Sequence, residues 1–207
     1  MTTRWENFFR EKLRKILTEK KSVVDIGGSL RVSKVVGNRY DPAQAWIADL
    51  IAQNAVCYQV MDPTLEYHPD IVGDIHALPF QDSSQEAIIC LAVLEHVEDP
   101  WLACRELWRV LKPGGYCLIY VPFLYYFHAE RGYYHDYWRY THEAVSLLFK
   151  KFSSMEICGV RGALATWLHV GPLGRVKFLV SVANLLDRIM RKVDSHQVSG
   201  YYVFVIK

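Results

Sequence analysis

Ser22-Val23-Val24-Asp25-Ile26-Gly27-Gly28 (residues 22–28) decides the fold class. It is a short apolar run that stops at a glycine pair, which reads as a buried strand ended by a turn. On its N-terminal side, Trp5, Phe8, Phe9, Leu13 and Leu17 recur at three- and four-residue spacing with charges between. That period predicts an amphipathic helix within residues 1–21. On its C-terminal side, 43–53 reads as a helix, Val56–Met61 as a strand stopped by Asp62-Pro63, Asp70–Val72 as a third strand and Ala87–Leu91 as a fourth. Asp99-Pro100 then opens a helix over Trp101–Leu111, which Lys112-Pro113-Gly114-Gly115 ends. Tyr116–Val121 is the fifth strand, Thr141 caps another helix, and Ser153–Val160 and Tyr201–Ile206 are strands six and seven. Strands alternating with helices imply an α/β fold, a mostly parallel sheet with helices on both faces.

The 207 residues are 51% hydrophobic and 22% charged, with 12 Gly and 8 Pro, so a disordered or collagenous chain is excluded. One domain over 1–207 is expected. The five cysteines (57, 90, 104, 117 and 158) are odd in number and widely spaced, which argues against a disulfide scaffold or zinc module and for a reducing, cytoplasmic setting. The first residues lack the apolar core of a secretory signal, and no run has the ~18 apolar residues of a spanning helix. Net charge is +2, but residues 41–100 carry eleven acidic side chains and no Lys or Arg, whereas residues 1–21 carry seven basic and three acidic ones. A uniformly basic nucleic-acid surface is therefore not indicated.

In open α/β sheets, ligands bind beyond the carboxyl ends of the strands. Here those ends carry Asp25, Asp62, Asp74 and Glu95, and the first turn lacks G-x-G-x-x-G. A pyrophosphate is poorly served by carboxylates. A cationic ligand with hydroxyls to donate, such as S-adenosylmethionine, suits them better. Acids at strand ends also serve as plain helix caps, which is the competing reading.

The stretches Ala77-Leu78-Pro79-Phe80, Leu94-Glu95-His96-Val97-Glu98-Asp99-Pro100 and Arg109-Val110-Leu111-Lys112-Pro113-Gly114-Gly115 resemble the class I S-adenosylmethionine-dependent methyltransferases, more narrowly the type 11 branch. The resemblance implies a Rossmann-like seven-stranded sheet whose last strand is antiparallel. It places Asp25, Gly27, Gly28 and Ser29 in the first glycine-rich motif beside the methionine part of the cofactor. It assigns Asp62 to the ribose hydroxyls, Asp74 and Ile75 to the adenine, and Leu91 and Ala92 to the surroundings of the sulfonium. Ser29 and Arg31 stand where the family usually has glycine, so a different turn or crowding is expected there. Only eleven residues separate Asp62 from Asp74, so the usual helix between them is expected to be missing.

Residues 123–140 hold nine aromatics in eighteen positions. His135-Asp136-Tyr137-Trp138-Arg139-Tyr140-Thr141 resembles the H-D-Y-W-R-[FY]-T signature of methyltransferases associated with surface-glycan and natural-product pathways. The resemblance implies a small or glycan-like acceptor, methylated on oxygen. On this reading, 123–141 forms an aromatic lid with His96, Tyr126, Tyr134, Trp138 and Arg139 against the acceptor. His128 or His135 takes a hydroxyl proton and Asp136 orients the imidazole. The structural alternative has Asp136 and Arg139 pairing with each other and the aromatics in the core. Metal binding by His128, His135 and Asp136 is disfavoured by their spacing. No Asn-Pro-Pro-Tyr follows strand four and no Pro-Cys occurs, which argues against enzymes modifying nucleic-acid bases.

Residues 161–196 read as a variable helical cap. Within it, 172–192 combines apolar positions with Arg175, Lys177, Arg188, Arg191 and Lys192. Such a helix can lie on an anionic membrane, but packing on the body as part of a lid is the commoner use, and the first helix is expected to cover the cofactor cleft in the same way. A protein that kept the fold without turnover, and an enzyme acting on protein or RNA, are the alternative functions.

Overall fold

The computed structural model describes residues 2–32, 40–174 and 176–207. Among them, β1 (Ser22–Ile26), β2 (Cys57–Asp62), β3 (Ile71–Val72), β4 (Gln85–Leu91), β5 (Leu111–Pro122), β6 (Ser154–Val160) and β7 (Gly200–Ile206) form one sheet in the order β3-β2-β1-β4-β5-β7-β6. β7 runs antiparallel to β5 and β6, and the other neighbours pair in parallel. The Rossmann-like sheet with its antiparallel last strand is thus as expected.

The central strands are covered on both faces, which is why they read as continuous apolar runs. Successive side chains alternate between faces. Val23, Ile89, Leu118 and Phe204 pack with α1 (Arg4–Glu19) and α2 (Ala45–Gln53) through Leu13, Ile16, Leu17 and Ile47. Val24, Ile88, Cys90, Ile119 and Val203 pack with α3 (Pro100–Val110) and α4 (His142–Leu148) through Leu107, Val110, Val145 and Phe149. Each such aliphatic side chain, fully buried, stabilises the fold by roughly 1.5–3 kcal/mol. α1 is therefore a core helix laid on the sheet. Its first turns lie against Tyr202 of β7, which pairs with Tyr120 near the carboxyl end of β5.

Caps fall where the sequence placed them. Asp99 accepts from the Leu102 N–H at 2.9 Å with Pro100 in the first helical turn, and Thr141 accepts from the Ala144 N–H at 3.1 Å. Leu111 differs. Instead of ending α3 it pairs with Gln85, and Lys112–Gly115 bulges out before Tyr116 pairs with Ala87. Gly114 sits at φ +72° in that bulge, a conformation that only glycine adopts without strain. The helix normally found between β2 and β3 is reduced to one 3-10 turn, Leu65–Tyr67.

The 161–196 cap consists of α5 (Ala163–Val170), α6 (Lys177–Ile189) and a 3-10 turn at Lys192–Asp194. The buried carboxylate of Asp187 on α6 accepts from the Leu164 and Ala165 N–H groups, each at 2.9 Å, and so caps α5 from outside. α6 turns its apolar side outward: Phe178 is 74% and Ile189 69% exposed, beside Trp167 of α5 at 79%. The segment 172–192 thus packs through Ala183, Asp187 and the Arg188 contact to the Thr2 carbonyl, while most of its apolar side is left uncovered. Arg175 lies outside the described residues.

All five cysteines are free, four of them buried. No helix among the described residues is long and apolar enough to cross a membrane.

Candidate functional site

Parallel register brings the carboxyl ends of β1, β2 and β4 together: Ile26 pairs with Met61 on one side and Cys90 on the other. The loop after β1 is wound around Asp25. That carboxylate is fully buried and accepts from the Ser29 N–H (3.3 Å), the Ser29 hydroxyl (3.1 Å), the Leu30 N–H (3.0 Å) and the Tyr58 hydroxyl. Burial pushes its pKa up to about 6 while Tyr58 and the loop donors oppose the shift. Asp25 is thus a positioning residue, spent inside the loop it shapes.

Gly27 and Gly28 take φ +81° and +56°. A Cβ on Gly27 would meet Val93 Cγ2 at 2.8 Å, so only glycine fits between the β1 and β4 loops. Ser29 folds its hydroxyl back onto Asp25, which is how this turn accommodates a residue other than glycine. Arg31 holds a left-handed φ of +53° and is exposed.

Asp62 ends β2. Its Oδ1 accepts from the Thr64 N–H at 2.9 Å and its pKa is raised by burial, and it stands beside the loop that Gly27 N–H ties to the Met61 carbonyl at 2.8 Å. Asp74 accepts from the backbone N–H of His76 at 2.9 Å and lies 2.8 Å from its Nδ1, and the Ile75 side chain belongs to the core. Leu91 is half-buried, and Ala92, at φ +55° and exposed, carries the backbone strain at the end of β4. These residues fit S-adenosylmethionine by chemistry: glycines that admit close backbone approach, and strand-end carboxylates that can accept from hydroxyl and ammonium donors.

Beyond β4, a 3-10 turn over Leu94–His96 is clamped by the aromatic segment. The Tyr137 and Trp138 N–H groups donate to the Glu95 carbonyl (2.8 and 3.2 Å), the Tyr140 hydroxyl to the Leu94 carbonyl (2.6 Å) and the Trp138 indole to the Val97 carbonyl (2.8 Å). Asp136 pairs with the Arg139 guanidinium, which holds its pKa at about 2, and accepts from the His128 N–H at 2.8 Å. Arg139 also donates to the Tyr126 carbonyl at 2.8 Å. Trp138 and Arg139, expected against the acceptor, are therefore committed to holding the turn and His128 in place.

Within this clamp the structure joins Glu95, His96 and His128, whose ligand atoms lie within 4.8 Å of one another. Glu95 raises the pKa of His128, with its Oε1 3.7 Å from Nε2, and burial opposes the shift. The His96 ring lies against Tyr134 (4.3 Å between centroids) and His128 (4.8 Å). Tyr126 stacks on Tyr125 at 4.3 Å nearby. The His135 ring does not join this group. It is exposed beside Tyr137, and only its carbonyl contributes, accepting from His96 Nδ1. Sequence reasoning placed Glu95 only among the strand-end acids. The adjacent Glu95-His96 pair was a visible signal, but the approach of His128 from a distant loop was not.

Residues 28–119 match the family described as a methyltransferase domain, Methyltransf_11. A malonyl-[acyl-carrier protein] O-methyltransferase from Halorhodospira halophila is 30% identical over 181 residues, 87% of this chain and 50% of that protein. The chain spans half or less of the first curated relatives it matches. Among solved structures, a SAM dependent methyltransferase from Archaeoglobus fulgidus superposes with a TM-score of 0.57 at 12% identity, covering 98% of both chains. Phosphoethanolamine N-methyltransferase 2 of Haemonchus contortus, in complex with S-adenosyl-L-methionine, gives 0.51 at 14% identity over 95% of this chain and 52% of that one. These two structural likenesses speak to the fold alone.

Proposed function

We propose that this chain carries a class I, type 11 S-adenosylmethionine-dependent methyltransferase domain, as the family match over 28–119 supports, and that it methylates a hydroxyl of a small or glycan-like acceptor. The observation that carries the reading is the placement of Glu95, His96 and His128 immediately beyond β4, with the aromatic faces of Tyr125, Tyr126 and Tyr134 around them. Aromatic faces suit a sugar or ring, and the cluster offers acceptors toward an incoming hydroxyl. When bound, S-adenosylmethionine supplies a sulfonium methyl; the acceptor oxygen forms the new C–O bond as the C–S electron pair returns to sulfur. The residues of this chain orient the acceptor and dispose of its proton at the cluster. Well-held positioning alone supplies about 7–11 kcal/mol of barrier reduction in such displacements.

The test is an acceptor panel of free sugars, glycosylated aglycones and phenols, read by mass for a gain of one methyl group. Methyl gain on a hydroxyl compound that is lost on omitting the cofactor supports the proposal. Methylation confined to protein or RNA overturns it. The buried free thiols favour a cytoplasmic setting, and we propose that residues 1–207 act as one domain.

The outward apolar side of α5 and α6 favours a surface-borne acceptor. Trp167, Phe178, Leu185 and Ile189 are exposed beside Arg188, Arg191 and Lys192, a pairing that suits an anionic membrane surface. Cosedimentation with phosphatidylglycerol vesicles, lost in Phe178→Asp/Ile189→Asp and weak with phosphatidylcholine alone, supports this. Equal sedimentation of both proteins contradicts it.

A further inference from the structure

Glu95 is 1% exposed, and among the described residues neither of its carboxylate oxygens has a hydrogen-bond donor. A buried carboxylate normally collects several donors, so this one points to something that belongs beside it. Its polar neighbours are Nε2 of His128 at 3.7 Å and Nε2 of His96 at 3.8 Å.

Both rings are fixed from behind. His96 Nδ1 faces the His135 carbonyl, and His128 Nδ1 faces the Tyr126 carbonyl at 3.1 Å with Asp136 Oδ2 at 3.3 Å. A carbonyl can only accept, so Nδ1 carries the proton in each ring, and in the neutral tautomer the Nε2 lone pair is turned toward Glu95. With both imidazoles neutral, the form in which they bind a metal, three acceptors converge with no donor among them. Imidazoles held through Nδ1 by a carbonyl or carboxylate, with Nε2 free, are the usual supports of a metal ion.

We propose that Glu95, His96 and His128 form a binding site for a divalent transition-metal ion of the zinc type. Two imidazoles and one carboxylate leave a fourth position open, which is the arrangement of catalytic rather than structural sites. Bonds of about 2.0–2.2 Å to each ligand require donor atoms about 3.3–3.5 Å apart in a tetrahedral site, so the 3.7 and 3.8 Å separations from Glu95 close by a few tenths of an ångström and the widest separation of the three, 4.8 Å at most, by up to about 1.5 Å through side-chain rotation. The ion's role rests on the methyltransferase reading: with the ion bound, the three side chains hold it and no longer take the proton themselves; the open position takes the acceptor hydroxyl and lowers its pKa, and the hydroxyl proton leaves to water. The signature segment acquires a reason here, since Asp136, Arg139, Trp138 and Tyr140 hold the two ligand-bearing loops against each other.

The experiment is a titration of the full chain, stripped with chelator, with Co²⁺ followed by absorption and then with Zn²⁺ in competition. One equivalent bound at neutral pH is expected, with at least about 10–100-fold weaker binding in Glu95→Gln and in His128→Asn. His135→Ala is expected to bind as the parent does, which separates this site from one built on His135. Zn²⁺ should also raise the unfolding temperature of the parent, a readout that does not depend on the variants folding. Absence of saturable binding, or equal binding by Glu95→Gln and the parent, overturns the proposal. S-adenosylhomocysteine affinity is measured on the same samples. Cofactor bound without metal removes the metal site and leaves the methyltransferase reading, whereas metal bound without cofactor does the reverse.

Discussion

Two buried carboxylates stand at the same edge of the sheet and are treated in opposite ways. Asp25, after β1, collects two backbone N–H groups and two hydroxyls. Glu95, after β4, collects none among the described residues. A fully satisfied buried acid fixes a backbone, because every donor it accepts from is immobilised by it. An unsatisfied one stores a demand for a partner. The β1 loop is therefore built for shape, and the β4 turn keeps a buried carboxylate open, at some expense in stability.

The sharpest way to break this contrast is to remove each acid in turn. Asp25→Ala leaves buried donors without an acceptor, each costing about 1–3 kcal/mol, so unfolding free energy should fall by about 3–5 kcal/mol in urea denaturation. A loss below about 1 kcal/mol would mean that Asp25 does not organise the loop. Next in size is the cofactor side. Asp62→Ala removes a carboxylate acceptor worth about 1.5–3 kcal/mol, so S-adenosylhomocysteine affinity should drop roughly 10–100-fold with the unfolding temperature little changed. Unaltered affinity would assign Asp62 to the Thr64 turn alone.

The pH dependence of Asp25 sharpens the same comparison. Its folded pKa of about 6 lies above the unfolded value of about 3.9. The folded state then holds the extra proton between these values, so this group's contribution to stability falls as pH rises from about 4 to 6 and is constant above. The two-unit difference corresponds to about 3 kcal/mol. Against Asp25→Asn, which does not titrate there, the parent should gain up to that amount on going from pH 7 to pH 4. A pH-independent difference would show that the four donors already offset burial. Smallest of all is Glu95→Gln, expected to change unfolding free energy by less than about 1 kcal/mol or to raise it, since no donor is orphaned. A loss of several kcal/mol there would dissolve the contrast.

The fold was legible because its signals are local. Apolar runs end at Gly27-Gly28 and Asp62-Pro63, and Asp99-Pro100 and Thr141 cap the helices they precede. The departures come from partners distant in sequence. Leu111 is drawn into the sheet by Gln85. The outward side of α6 follows from Asp187 turning in to cap α5, whereas periodicity reveals a face but not what it meets. The site divides the same way. That Asp62 and Asp74 stand at strand ends could be read from the sequence alone. The roles of Asp25 and Glu95 depend on Tyr58 and His128, each 33 residues away and brought in by the fold. The signature at 135–141 was legible as a motif but not as a clamp, because its contacts run through backbone carbonyls of the β4 turn.

The central claim is that the glycine turn wound on Asp25, with Ser29 in place of glycine, forms a working cofactor cleft with Asp62. Calorimetric titration of the purified chain with S-adenosylhomocysteine tests it most directly. The account predicts saturable binding of one equivalent with micromolar affinity. The absence of saturable heat would contradict it.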